Sequence, residues 1–283
     1  MRLGAIEAGG TKFVVAVGNE HGEIFHKTVI ATTTPEETMK QVVAWFAAHP
    51  IDRLGIGSFG PLDLTPTSST YGSILATPKI AWRGFNYFDY LRDFKGPIRI
   101  DTDVNVCALA EATLGSSTDV SSCVYLTVGT GIGGGICIDR QTIKGLQHPE
   151  MGHVPVIRHP NDSFAGRCPS HRDCLEGLAS GPAIEERWQQ KASELDPDHV
   201  AFEIESDYLA QAIYTYALTI SPERFILGGG VMHVPGLLEK IQQKVVSKNN
   251  GYVARIDTLD RYIVKPSLGD DVGVIGCFLL ALQ

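Results

Sequence analysis

Apolar positions along the chain follow two spacings. Residues 3–6 and 13–17 are short apolar runs on either side of Gly9-Gly10-Thr11-Lys12, the pattern of two strands joined by a tight turn. A turn signal at residues 19–22 leads into a third strand over 23–30. Farther on, residues 123–128 predict a strand, 129–135 a glycine-rich turn, and 136–138 the next strand. Residues 36–48, 104–114, 182–190, 208–219, 237–246 and 272–282 instead carry apolar side chains at helical spacing, which predicts helices laid over sheets. The unit of strand, glycine turn and strand occurs twice, about 120 residues apart. Two related α/β halves facing one another, with a nucleotide between them, are therefore expected.

Length supports that division, because 283 residues is about twice the usual ~150 per domain. A Gly/Ser/Thr/Asp cluster at residues 115–120 reads as the connection, giving a first domain over 1–117 and a larger second domain over 118–270. With 43% hydrophobic and 20% charged residues, the composition is that of a globular chain with a substantial core. A net charge of -8 argues against nucleic acid, whose binders concentrate Lys and Arg. The chain reaches Glu7 and paired glycines before an export signal could form, and holds no run of about 18 apolar residues, so a cytoplasmic protein without a membrane span is expected.

Glycine allows close backbone approach, so the segment 129–135 can aim successive N–H groups at a phosphate while Thr130 adds a hydroxyl. Gly129, Gly131 and Gly134 also match the dinucleotide pattern G-x-G-x-x-G, which keeps an NAD-dependent oxidoreductase as an alternative class. That pattern needs a helix directly after the turn, whereas residues 135–138 read as strand. A Walker loop is absent from the sequence, so a nucleotide must be held by another fold.

Residues 7–12 (Glu-Ala-Gly-Gly-Thr-Lys) and 127–135 resemble the two phosphate motifs of sugar kinases in the actin-like ATPase superfamily, and residues 227–232 (Leu-Gly-Gly-Gly-Val-Met) resemble its adenosine motif. The order and extent of these motifs are similar to those of the ROK family. The resemblance implies a duplicated two-domain, ribonuclease H-like α/β fold with an inter-domain cleft, in which the C-terminal helix, residues 271–283, rejoins the first domain. It implies ATP and Mg²⁺ as cofactors, a small-molecule sugar as partner, and a homodimer. By the same carry-over Gly9, Gly10, Thr11, Lys12, Thr130, Gly131 and Gly133 meet the phosphates. Pro182, Gly229, Gly230, Val231, Met232, His233 and Val234 border adenine and ribose. Glu7 stands where the family has Asp, and can act on Mg²⁺ through a bound water.

Residues 98–105 end an apolar strand in two carboxylates, Asp101 and Asp103, before a helical pattern begins. Alone, Asp103 reads first as the helix N-cap and only second as a general base for an attacking hydroxyl. The resemblance assigns it the base role and places sugar contacts at Gly60, Thr102, Asp103, Glu150, His153 and Glu176. Thr102 replaces the family's Asn, as in its fructokinase-like members, which also share residues 57–63, 77–79 and Trp82; phosphorylation of fructose at its 6-hydroxyl is the expectation. Glucokinase, mannokinase and a broad hexokinase remain alternatives, as does a non-catalytic sugar-sensing regulator. Against that last reading, the first phosphate motif leaves no chain before it for a DNA-binding segment.

Four of six cysteines, Cys107, Cys123, Cys137 and Cys277, sit singly in apolar runs and are expected as buried thiols. Cys168, His171 and Cys174 form C-x₂-H-x₂-C, with His153 fifteen residues upstream. This is a ligand set for tetrahedral zinc. Four protein ligands leave no open position, so the zinc is expected to be structural, bracing the loop that carries Glu150 and Glu176.

Overall fold

The computed structural model describes residues 1–257 and 261–283. Five strands, β1 (Leu3–Ala8), β2 (Lys12–Gly18), β3 (Ile24–Ala31), β4 (Arg53–Ser58) and β5 (Ile98–Thr102), form one sheet in the order β3-β2-β1-β4-β5. β1 pairs antiparallel with β2 and parallel with β4, which pairs parallel with β5. The second sheet contains β6 (Ser122–Val128), β7 (Ile132–Ile138), β8 (Gln141–Thr142), β9 (Arg224–Gly228) and β10 (Ile263–Val264), ordered β10-β9-β6-β7-β8. Reversed, that order is β8-β7-β6-β9-β10, which repeats the succession of third, second, first, fourth and fifth strand seen in the first sheet. The duplication suggested by the two glycine turns thus extends to both topologies.

The helices are α1 (Pro35–Ala48), α2 (Tyr87–Tyr90), α3 (Asp103–Thr113), α4 (Leu175–Ala179), α5 (Gly181–Trp188), α6 (Val200–Thr219), α7 (Leu237–Asn249), α8 (Ala254–Asp257) and α9 (Val272–Leu282). Helix α1 starts where its residues dictate: the Thr34 side chain accepts the Glu37 N–H, and Pro35 occupies the first turn. Helix α6 begins eight residues before the expected 208, capped by His199. Glu203, Glu205 and Asp207 interrupt its apolar pattern, yet Glu205 is wholly buried. The expected turn 129–135 also proves shorter, because strand β7 starts at Ile132.

Two compact units emerge: Met1–Asp119 with Gly135–Pro149 and Ser267–Gln283, and Val120–Gly134 with Glu150–Pro266. The first is centred on Ile6, Phe13, Ile56, Trp82 and Tyr87. Helix α9 is buried along nearly its whole length and lies so close to β4 that a β-carbon on Gly55 would stand 1.9 Å from the Cys277 carbonyl oxygen. Only glycine permits that approach. Buried Glu111 of α3 accepts the Ser116, Ser267 and Leu268 N–H groups at 2.7, 2.9 and 3.1 Å, fixing the chain as it enters α9. The second unit packs Phe202, Tyr208, Ile213, Phe225 and Leu237. All four single cysteines are buried. Among the described residues, no helix is long and apolar enough to cross a membrane.

Candidate active site

The β1–β2 turn closes through the Gly9 N–H, which donates to the Lys12 carbonyl at 2.9 Å, while Thr32 Oγ1 donates to the Gly9 carbonyl at 2.8 Å. Thr11 and Lys12 are exposed at its tip. The structure also brings Lys79 against this turn, its Cε 2.9 Å from where a β-carbon on Gly10 would stand. Sequence spacing gave no hint of that second cation. Glu7, at the end of β1, is half-buried. Burial, and then the Asp103 charge, hold its carboxyl at about 7 instead of 4.5, with Lys12 and Lys27 pulling it down and Asp271 adding to the rise. Its carboxyl lies over the first turn of α9, 2.4 Å from the place of a β-carbon on Gly273.

At the end of β5 the two carboxylates divide. Asp101 is fully buried: its Oδ1 accepts the Thr102 N–H and the Asn105 amide at 2.8 Å each, and its Oδ2 accepts Thr142 Oγ1 at 2.6 Å and meets Lys144 Nζ at 3.2 Å. Asp103 is half-buried, with Oδ1 accepting the Val104 N–H at 2.9 Å. The N-cap of α3 is Thr102, whose Oγ1 accepts the Asn105 N–H at 3.2 Å. Capping therefore does not account for Asp103. It uses one lone pair of the Thr102 hydroxyl, on a residue only 3% exposed.

Nearby in the first unit, Ser58 Oγ and Tyr87 Oη are 2.8 Å apart, anchoring the strand end before Gly60. The Leu62 N–H donates to His148 Nε2 at 3.0 Å. From sequence, Asp101 is noted only as the first of two strand-end carboxylates, with no role, and His148 is not noted at all. A buried-looking strand terminus in one case, and a His-Pro pair two residues before Glu150 in the other, were the available signals.

In the second unit, the Gly129 N–H donates to the Gly131 carbonyl at 2.9 Å, and the Gly181 N–H to the Gly129 carbonyl at 2.8 Å, tying the start of α5 and Pro182 to this turn. Glu176 of α4 accepts the Ile132 N–H at 2.9 Å, and its Oε2 lies 2.7 Å from the place of a β-carbon on Gly131. Thr130 is exposed. Gly133 lies within β7, as does Gly134, where Met151 packs into the space a side chain would fill. Gly229 has φ of 92°, and a β-carbon there would collide with the Val128 backbone at 2.4 Å. Val231, Met232 and Val234 are core side chains, 2–6% exposed, so only their backbone can meet a ligand. Gly230 and His233 are exposed.

The expected metal ligands converge. One donor atom from each of His153, Cys168, His171 and Cys174 lies within 4.8 Å of the others. Cys168 Sγ is 3.7 and 3.8 Å from the Nδ1 atoms of His153 and His171, and Cys174 Sγ is 3.5 Å from His153 Nδ1. Tetrahedral bonds of ~2.3 Å to sulfur and ~2.05 Å to nitrogen give N···S edges of about 3.6 Å, so the residues fit a zinc ion. Glu150 is exposed, immediately before the short helical turn Met151–His153.

The sequence profile of the ROK family matches residues 3–283. The chain is 44% identical over 289 residues to a fructokinase of Zymomonas mobilis, covering 99% of this chain and 96% of that one. It is 42% identical over 282 residues to a fructokinase of Pediococcus pentosaceus, covering 99% and 98%. A solved ROK family glucokinase from Streptomyces griseus, in complex with glucose and AMPPNP, is similar with a TM-score of 0.76 at 23% identity, covering 100% of both chains.

Proposed function

Because this chain belongs to the ROK family and has the duplicated actin-like ATPase fold of its sugar kinases, we propose that it transfers the γ-phosphoryl group of ATP to the 6-hydroxyl of D-fructose. Near-full-length identity above 40% to two fructokinases carries that reading. Asp103 takes the proton of the attacking hydroxyl as the phosphoryl group departs. Of the two carboxylates at the end of β5, Asp101 is fully buried with four donors on its two oxygens, whereas Asp103 is half-buried, which supports reading Asp103 as the base. Gly60, Glu150, His153 and Glu176 hold sugar hydroxyls, and each epimer that strands a buried polar group loses binding. Thr102 contributes through the turn it caps.

The turns at residues 9–12 and 129–133 hold the phosphates, and Pro182 with residues 229–234 borders adenosine. Bound Mg²⁺ supplies neutralisation of phosphate charge, and Glu7 is the carboxylate that would orient its water shell. His153, Cys168, His171 and Cys174 would hold a structural zinc. The working form in this proposal is a cytoplasmic homodimer, which light scattering tests directly. A coupled ADP-release assay with fructose, glucose, mannose and N-acetylglucosamine tests the substrate: fructose is expected to give the highest kcat/KM, and the lowest value would refute the choice. Asp103→Asn is expected to lower kcat by ~10²–10⁴-fold, and wild-type turnover would remove the base assignment.

A further inference from the structure

The segment between β8 and Pro149 makes two separate holds within the first unit. Thr142 and Lys144 grip Asp101 at 2.6 and 3.2 Å, two residues before Asp103. His148 makes the other: its Nε2 accepts the Leu62 N–H at 3.0 Å, with His148 7% and Leu62 0% exposed. The same ring lies against Gly60, its Cε1 and Nε2 each 3.3 Å from the place of a β-carbon there.

A buried backbone N–H needs an acceptor. An imidazole nitrogen that accepts carries no proton, so the proton of the neutral ring is on Nδ1. Packing alone requires no such tautomer, and a hydrocarbon of similar size would serve it. The ring thus sets the direction of one particular backbone group in the turn at residues 60–62. Glu150 follows two residues later along the same strap.

We propose that His148 is a positioning residue of the acceptor-sugar site, holding the turn at residues 60–62 through an unprotonated Nε2 while Thr142 and Lys144 hold the strand end that carries Asp103. This rests on the assignment of Gly60 and Asp103 to the sugar side of the reaction.

His148→Leu removes the acceptor, whereas the carboxamide oxygen of His148→Gln reaches where Nε2 stands. H148L is expected to raise KM for fructose about tenfold, the effect of roughly half the cost of an orphaned buried N–H, with KM for ATP within about twofold of wild type. H148Q is expected to restore most of that loss. Equal sugar KM values in H148L and wild type would overturn the proposal, as would a rise in both KM values that H148Q does not repair. Should H148L not fold, long-range ¹⁵N–¹H NMR of the wild-type ring at neutral pH decides: Nε2 unprotonated supports the proposal, and Nε2 protonated overturns it. A wild-type preference for another hexose would sink only the fructose assignment, because the variants are then compared on that sugar and the NMR measurement needs none.

Discussion

Replacing Glu7 by Gln should change how stability depends on pH. Burial and the neighbouring Asp103 hold this carboxyl at about 7 in the folded chain against 4.5 ordinarily, and Asp271 adds to the rise while Lys12 and Lys27 only partly offset it. The Cys107 and Cys277 thiols that also feel its charge are themselves pushed well above their ordinary range by burial, so they stay neutral across the same window. Between pH 4.5 and 7 the folded chain keeps a proton that the unfolded chain releases. Stability from this group is therefore complete below 4.5 and lost as pH rises through 7. At about 1.4 kcal/mol per pH unit the loss reaches ~3 kcal/mol, and water around a half-buried group brings it nearer ~2 kcal/mol. Gln has the same shape and does not titrate. Urea unfolding from about pH 5 to about pH 8 should show Glu7→Gln gaining ~2–3 kcal/mol on wild type across that range. Parallel curves, or a gap that widens toward acid, would refute the argument.

Two further perturbations act away from the glycine turns. Stripping a bound metal with a chelator should lower Tm and raise KM for fructose together, since the ligands follow Glu150 and precede Glu176; an unchanged KM in a sample shown to be zinc-free by elemental analysis would separate the metal from sugar binding. Glu111→Ala leaves three backbone N–H groups without their acceptor and should cost ~2–4 kcal/mol in urea unfolding, whereas a loss below about 0.5 kcal/mol would mean that the entry into α9 is held by packing alone.

Local pattern was enough wherever local chemistry decides the outcome. Helix α9 begins and ends where its unbroken apolar run does, and the repeated glycine turns disclose a duplication that the strand orders share. The misreadings have long-range causes. The apolar pattern predicts α6 from 208 because Glu205 interrupts it, yet tertiary packing buries Glu205 and burial pushes its carboxyl well above the ordinary range. The glycine run predicts a longer second turn than forms, because Gly134 and Gly135 meet Met151 and the Val104 carbonyl inside a strand; glycine serves loops and tight packing alike, and only the partner distinguishes them. The contacts of Lys79, Asp101 and His148 are not legible in sequence, since the partners Gly10, Thr142 and Leu62 lie about 40 to 90 residues away.

Glu176 shows how a zinc held by His153, Cys168, His171 and Cys174 would act beyond its own ligands. It follows the ligand Cys174 by two residues and sits in the first turn of α4, so the cluster that fixes Cys174 also fixes the start of that helix. One of its oxygens takes the Ile132 N–H at 2.9 Å, at the point where the turn bearing Thr130 becomes strand β7. A carboxylate assigned to a sugar hydroxyl is thereby bonded to the backbone of a turn assigned to phosphate, through groups that all belong to the second unit. If the sugar competes for that carboxylate, it acts on the phosphate turn with no intervening residue, and linkage requires nucleotide to act equally on sugar affinity. A zinc held by that cluster would then do more than stabilise a loop, since it would fix the helix start that carries Glu176 against the Ile132 N–H.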